Sequence, residues 1–235
     1  MQVFYVPDIH GQHATLSKTE SNHCIHALRH VRQDCIYLID GHGGLFKACI
    51  TDPDPHACQV EIVESNPVYN PGQCKLHIAI APPKQGDRFE WFVEKAVEIG
   101  IDEITPVICQ RSERKEMKME KFEKNIITSM KQAIVAKKPV LNPMISFHQF
   151  IRTYPLQNTD PFIAYCSDIQ HKPLHEALVR GNNTILLIGP EGDFTPDEVQ
   201  LAFTSGYKPV SLGSRRLRTE TAALVCCVTF NTINL

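Results

Sequence analysis

Leu186-Leu187-Ile188-Gly189-Pro190-Glu191-Gly192-Asp193-Phe194-Thr195-Pro196 reads as an apolar strand, a glycine turn and the opening of a helix. A short continuous apolar run is the pattern of a strand buried on both faces of a parallel sheet. Gly189 and Gly192 permit close approach of backbone to a ligand. Thr195 ahead of Pro196 predicts a helix cap followed by proline at the first helical position. The turn is not a Walker loop, since no Lys-Ser/Thr pair follows Gly192, and it lacks GxGxxG. An ordinary strand-to-helix connection fits it equally well.

A second turn of the same kind follows, Ser211-Leu212-Gly213-Ser214-Arg215-Arg216-Leu217-Arg218-Thr219-Glu220-Thr221-Ala222-Ala223. It places three arginines within four residues, directly ahead of an apolar helix expected over Glu220–Ile233. Thr219 is the expected cap, and the open N–H groups of the helix start favour an anion or a developing negative charge. A solvated basic turn is the plainer reading. The expected strand Val210–Leu212 just before it favours a ligand site, because open α/β sheets bind ligands at the carboxyl ends of their strands.

Outward from these turns, residues 74–235 alternate between strand and helix. Strands are expected at Leu76–Ala81, Ile104–Cys109, Phe162–Cys166 and Thr184–Ile188. Phe89, Phe92, Val93, Ala96 and Val97 recur at helical spacing up to Gly100, and a long charged helix is expected over Lys121–Lys138. The fold class is α/β, with a mostly parallel sheet covered on both faces. Residues 1–70 read differently, as short strands (Val3–Val6, Cys35–Asp40, Gly44–Ile50, Gln59–Val63) around one helix, Ser21–His30. That is the pattern of a small β-barrel. Residues 1–70 carry four Lys/Arg, eight Asp/Glu and seven of the eleven histidines, whereas residues 71–150 carry thirteen Lys/Arg and ten Asp/Glu. The turn cluster Asn66-Pro67-Val68-Tyr69-Asn70-Pro71-Gly72 marks the boundary, giving domains 1–70 and 71–235.

With 235 residues, 43% apolar and 21% charged, the chain can bury a core and is not a disordered tail. Net charge is −2, so any nucleic-acid contact must come from a local patch. Nine scattered cysteines, none spaced CxxC, fit free thiols in a reducing, cytoplasmic compartment better than disulfides or zinc. The amino terminus has no basic region followed by an apolar run, so a signal peptide is not expected, and no apolar stretch reaches membrane-spanning length.

Gly189-Pro190-Glu191-Gly192, followed by Leu212-Gly213-x-Arg215-x-Leu217-Arg218-Thr219-Glu220-Thr221-Ala222, resembles the signature of the RsmE family. These are S-adenosyl-L-methionine-dependent methyltransferases of the SPOUT superfamily, acting on a uridine N3 of 16S ribosomal RNA in the small ribosomal subunit. Asn22-His23 to Leu28-Arg29 and Ile39-Asp40-Gly41-His42-Gly43 resemble the family's amino-terminal PUA-like barrel. Lys84–Arg88, Glu94–Gly100 and Gln110-Arg111-Ser112 resemble the start of its methyltransferase domain. The sequence departs from the family pattern at Asp193, where a second glycine is usual, and at Ser214, where a proline is usual. It departs again at Arg216, Lys131, Val135 and Gln33.

The resemblance implies a carboxyl-terminal trefoil knot, an exception to un-knotted topology, in which the two glycine turns meet around S-adenosyl-L-methionine. The residues so assigned are Leu187, Ile188, Gly189, Glu191, Gly192, Leu212, Gly213, Ser214, Leu217 and Thr221. It also implies a homodimer, with no metal and no membrane. Uridine N3 must lose its proton to become nucleophilic, so Arg218 is the candidate stabiliser of the imide anion. Glu220 is the candidate base or orienting group. Arg215 and Arg111 are candidate phosphate contacts, and His23, Arg29 and Arg32 a candidate RNA-facing surface on the barrel. His23, His26 and His30 lie at helical spacing without a complementary carboxylate or cysteine, which speaks against a metal face. The charged run Arg111–Lys124 also reads as a solvated helix. Two other functions fit the same turns: a catalytically impaired RNA-binding homologue, and an α/β enzyme using a nucleotide on a small metabolite.

Overall fold

The computed structural model describes residues 1–9, 11–69, 71–166, 169 and 171–235. Asn70, in the turn cluster expected at the domain boundary, lies outside them. The chain divides into two compact units, Met1–Pro71 with Ile126–Lys138, and Gly72–Asn125 with Pro139–Leu235.

The first unit holds β1 (Val3–Tyr5), β2 (His13–Thr15), α1 (Lys18–Asn22), β3 (Cys35–Ile39), β4 (Leu45–Asp52) and β5 (Gln59–Asn66). They form one sheet in the order β1-β3-β4-β5-β2, parallel only between β1 and β3. Register shifts at Lys47/Ala48 and Ile50/Asp52 bend β4. Alternate residues (Phe4, Ile36, Leu38, Ala48, Ile50, Val60) point into a common core with Leu16 and Cys24. The helix expected over Ser21–His30 starts earlier, because Ser17 accepts from Glu20 N–H at 3.3 Å and caps it at Lys18. Residues His23–Ala27 are wound as a π-helix, and Arg29, at φ 60, ends the segment.

The second unit contains α2 (Gly86–Ile99) between β6 (Leu76–Ile80) and β7 (Glu103–Ile108). Then come α3 (Met119–Ala133), which from Ile126 onward belongs to the first unit, and β8 (Val140–Leu141), β9 (Ile145–Ser146), α4 (Phe147–Thr153), β10 (Thr159–Ala164) and α5 (Leu174–Ala177). The chain closes with β11 (Asn183–Ile188), α6 (Pro196–Thr204), β12 (Lys208–Val210) and α7 (Thr219–Asn234). The sheet runs β12-β10-β11-β6-β7-β8, with β9 also on β7, and its pairings are parallel. Central β6 is buried along its whole length, which explains why it is apolar apart from His77. Ala79, Ala81, Ile185 and Leu187 face α4 and α6 through Phe147, Phe150 and Ala202. The opposite face packs on α7, which lies against α2.

Further expectations change, among them the strand expected over Val210–Leu212, which runs over Lys208–Val210. The helix expected over Lys121–Lys138 ends at Ala133, because Ile134 adopts a left-handed φ of 57 and Val135 N–H bonds back to Met130 O. Residues 111–118 are not helical; Lys84 pairs Glu113 at 2.6 Å and Arg114 Nε donates to Glu116 O, so the charged run is spent on loop contacts. Thr219 is not the cap of α7 but its first residue, with Arg218 in the cap position and no side chain capping. Among the described residues, no helix is long and apolar enough to cross a membrane.

Candidate active site

A cleft of about 1090 Å³ opens at the carboxyl ends of β10, β11 and β12. This is slightly above the usual range for small-molecule sites, about 300–1,000 Å³. The loops after these three adjacent parallel strands line it: Ala164–Cys166, Ile188–Glu191 and Val210–Thr219, with Ala222 behind. Two links hold the loops together. Thr219 Oγ1 donates to Gly189 O at 3.0 Å, and a parallel bridge joins Pro173 to Ser211. Thr219 therefore ties the start of α7 to the first glycine turn, a bond that its expected capping role would have precluded.

The first turn is braced from outside the cleft. A Cβ on Gly189 would meet the Phe194 ring at 3.1 Å, and one on Gly192 would meet Arg111 Cβ at 3.2 Å. These two glycines thus make room for protein side chains. Arg111 Nη1 donates to Gly192 O at 2.8 Å and to Phe194 O at 3.4 Å, so this arginine, expected on phosphate, holds the turn instead. Glu191 Oε1 accepts from Lys84 N–H, and Glu198 completes a reciprocal cap with Thr195 while accepting from Gln110 N–H. Asp193, at φ 61, accepts from its neighbour Phe194 N–H at 2.8 Å and from Cys166 N–H at 2.7 Å. Its charge is held by backbone donors on the cleft wall. Burial and the Asp193 carboxylate push the Cys166 thiol up, so it is not poised as a thiolate.

On the second turn, Gly213 sits at φ 121, and a Cβ there would point into open space. Glycine is required here by backbone conformation. Leu212, Gly213, Ser214, Arg215, Leu217 and Arg218 all line the cleft, as do Ile188, Gly189 and Glu191 from the first turn. Leu187 does not: it is buried in the sheet core. Gly192 lies behind the turn, against Arg111. Thr221 and Glu220 open instead onto a smaller cavity of about 320 Å³, which Arg218 also lines. Glu220 is 7% exposed and pairs with Arg88, Nε to Oε1, at 3.7 Å. The sequence singled out neither Arg88 nor Trp91 as a site residue, because their partners lie more than 120 residues away in the chain. In the first unit, His23, Arg29 and Arg32 are exposed, and Arg32 Nε donates to Thr51 O at 2.6 Å. His30 is engaged by Asp34 and Gln2.

Residues 70–231 match the RNA methyltransferase domain family. The ribosomal RNA small subunit methyltransferase E of Mesomycoplasma hyopneumoniae is 30% identical over 180 residues, 72% of this chain and 75% of that protein. This chain belongs to the RsmE family. A probable rRNA-methyltransferase from Porphyromonas gingivalis has the same fold, with a TM-score of 0.91 and 38% identity over 100% of this chain and 98% of that one. The ribosomal RNA small subunit methyltransferase E of Neisseria gonorrhoeae, solved bound to S-adenosyl methionine, gives a TM-score of 0.89 at 27% identity, again over 100% and 98%. Within this RsmE-family chain, Asp193 stands at a glycine-like φ and fills the position by bonding its own turn.

Proposed function

We propose that this chain methylates N3 of a uridine in 16S ribosomal RNA of the small subunit, with S-adenosylmethionine as the methyl donor. The observation that carries this reading is the cleft in which Thr219 joins the two glycine turns, with Arg218 at its edge. The cleft fits a nucleoside ligand: Ile188, Val210, Leu212 and Leu217 offer apolar wall, while Glu191, Ser214, Arg215 and Arg218 offer polar groups. When bound there, S-adenosylmethionine supplies an activated methyl group.

The protein's own part is to align and to stabilise. Arg218 is exposed and stands at the start of α7, where the helix dipole adds positive potential. Its guanidinium stabilises the imide anion left when uridine N3 gives up its proton, and Glu220, anchored by Arg88, accepts or orients that proton. Arg215, exposed in the cleft, meets phosphate. His23, Arg29 and Arg32 on the first unit, read as a PUA-like barrel over residues 1–70, dock the RNA. The threaded trefoil of residues 71–235 belongs to the same reading, supported by the Pro173–Ser211 bridge and the Thr219–Gly189 bond, and so does a homodimer.

The test is incubation with labelled S-adenosylmethionine and small-subunit RNA lacking the modification, then digestion to nucleosides. Label in N3-methyluridine is the expected result. Label in another nucleoside refutes the N3 assignment, and calorimetry without cofactor uptake refutes the cleft assignment.

A further inference from the structure

The smaller cavity lies between the first turn of α2 and that of α7, both in the second unit. Asp87, Arg88 and Trp91 line it from α2, and Arg218, Glu220 and Thr221 from α7. Two features set it apart from a surface crease. Arg218 lines this cavity and the large cleft alike, so an occupant here lies beside whatever fills the cleft. Trp91, on the polar, outward side of the amphipathic helix α2, keeps 43% of its surface exposed, although large aromatic rings are costly to leave in water. Neighbouring Phe89 and Phe92 are fully buried, so the exposure belongs to this one ring and its face of α2.

The polar groups around the ring form a definite set. The Glu220 carboxylate is an acceptor, and the Arg88 and Arg218 guanidiniums are donors, Arg88 lying 3.7 Å from Glu220. The imide edge of uracil presents the complement: two carbonyl acceptors on either side of the N3–H donor. Cytosine, with an unprotonated N3 and an amino group, does not match it. An indole face beside such a set is what a flipped or single-stranded base stacks on.

We propose that this cavity is the pocket for the target uracil, with Trp91 as its stacking platform and Arg88, Glu220 and Arg218 reading the imide edge. The assignment rests on the reaction proposed above and deepens it, since it places the base next to the methyl-donor cleft at the residue the two cavities share.

Trp91 is the only tryptophan in the chain, so its emission reports on this pocket alone. The experiment uses the full-length protein and an unmodified small-subunit RNA transcript. RNA is expected to quench the indole emission, and S-adenosylmethionine alone to leave it unchanged. Trp91→Ala should lower kcat/KM for methyl transfer roughly 10- to 100-fold, the loss expected for one base–aromatic stack. Trp91→Phe should restore most of it, and both variants should keep the parent's cofactor affinity and circular dichroism. RNA retained on a filter without any change in indole emission, or Trp91→Ala turning over at the parental rate, overturns the pocket. A parent that transfers no methyl group to uridine N3, while RNA still quenches the indole, overturns the proposed reaction and supports the pocket.

Discussion

At Asp193 the backbone takes φ 61, a region that costs an ordinary side chain about 1–2 kcal/mol and that Asn, Asp and Gly tolerate better. The carboxylate then accepts two backbone N–H groups, from Cys166 and Phe194. Asp193→Ala should therefore be destabilising by about 2 kcal/mol, combining strain with two lost acceptors. Asp193→Gly should cost less, since the strain is relieved. Equal melting temperatures for the two variants would mean the conformation contributes nothing. Arg218 is argued on different grounds, from the cleft it borders and the helix it precedes. Arg218→Ala should keep cofactor and RNA affinity but slow single-turnover methylation about 100- to 1,000-fold. Raising the pH should recover part of that rate, since uridine already ionised at N3 needs less help. Arg218→Lys should recover little, because a point charge does not span a planar imide. RNA affinity lost with the single-turnover rate intact would make Arg218 a docking residue.

At the scale of elements, the period of the apolar residues carried most of the information. Strand β11 and helix α2 fall where the sequence pattern puts them, because each buries one regular face or run in a core. Boundaries set by side chains from elsewhere were not readable. Helix α3 stops at Ile134, and Lys131 on its last turn pairs at 2.6 Å with Glu20 of α1, 111 residues away. Strand β6 contributes one buried titratable group, His77, whose Nε2 meets Thr105 Oγ1 at 2.8 Å. Burial pushes its imidazole down to about 4, against the opposing pull of Glu103. The unfolded chain therefore takes up a proton that the folded one refuses between its ordinary value near 6.5 and about 4. The stability from neutral His77 is full above pH 6.5 and falls as the pH drops toward 4. Thermal melts across that window should show the decline, and His77→Gln should flatten it. An unchanged slope in His77→Gln would assign the acid sensitivity to other groups.

For the whole molecule, net charge is −2, so RNA attraction must come from patches that the average hides. In the first unit, Arg29 and Arg32 are exposed near His23 in the chain. Replacing both with Ala should weaken binding of small-subunit RNA and shallow its salt dependence by up to about two phosphate contacts, leaving cofactor affinity unchanged. A salt slope equal to the parent's would move the docking face off this unit. Arg111, in contrast, should affect the cofactor before the RNA, because its guanidinium holds the carbonyls of the Gly192 turn.

Local chemistry decided what the sequence alone could determine. Unbroken apolar runs specify buried parallel strands, the Thr195-Pro196 pair specifies a helix start, and the paired glycine turns with their arginines carry the family resemblance. Each depends on neighbours within a few residues, and so each is legible in one dimension. Tertiary structure decided which side of a turn faces the ligand. Gly189 and Gly192 proved to accommodate Phe194 and Arg111, Thr219 spent its hydroxyl on Gly189, and Leu187 turned into the core. It also brought Arg88 and Trp91 to Glu220 and Arg218 from the far end of the domain. Such contacts arise only when β6 and β11 pair side by side and α2 packs against α7, and no spacing along the chain encodes that distance.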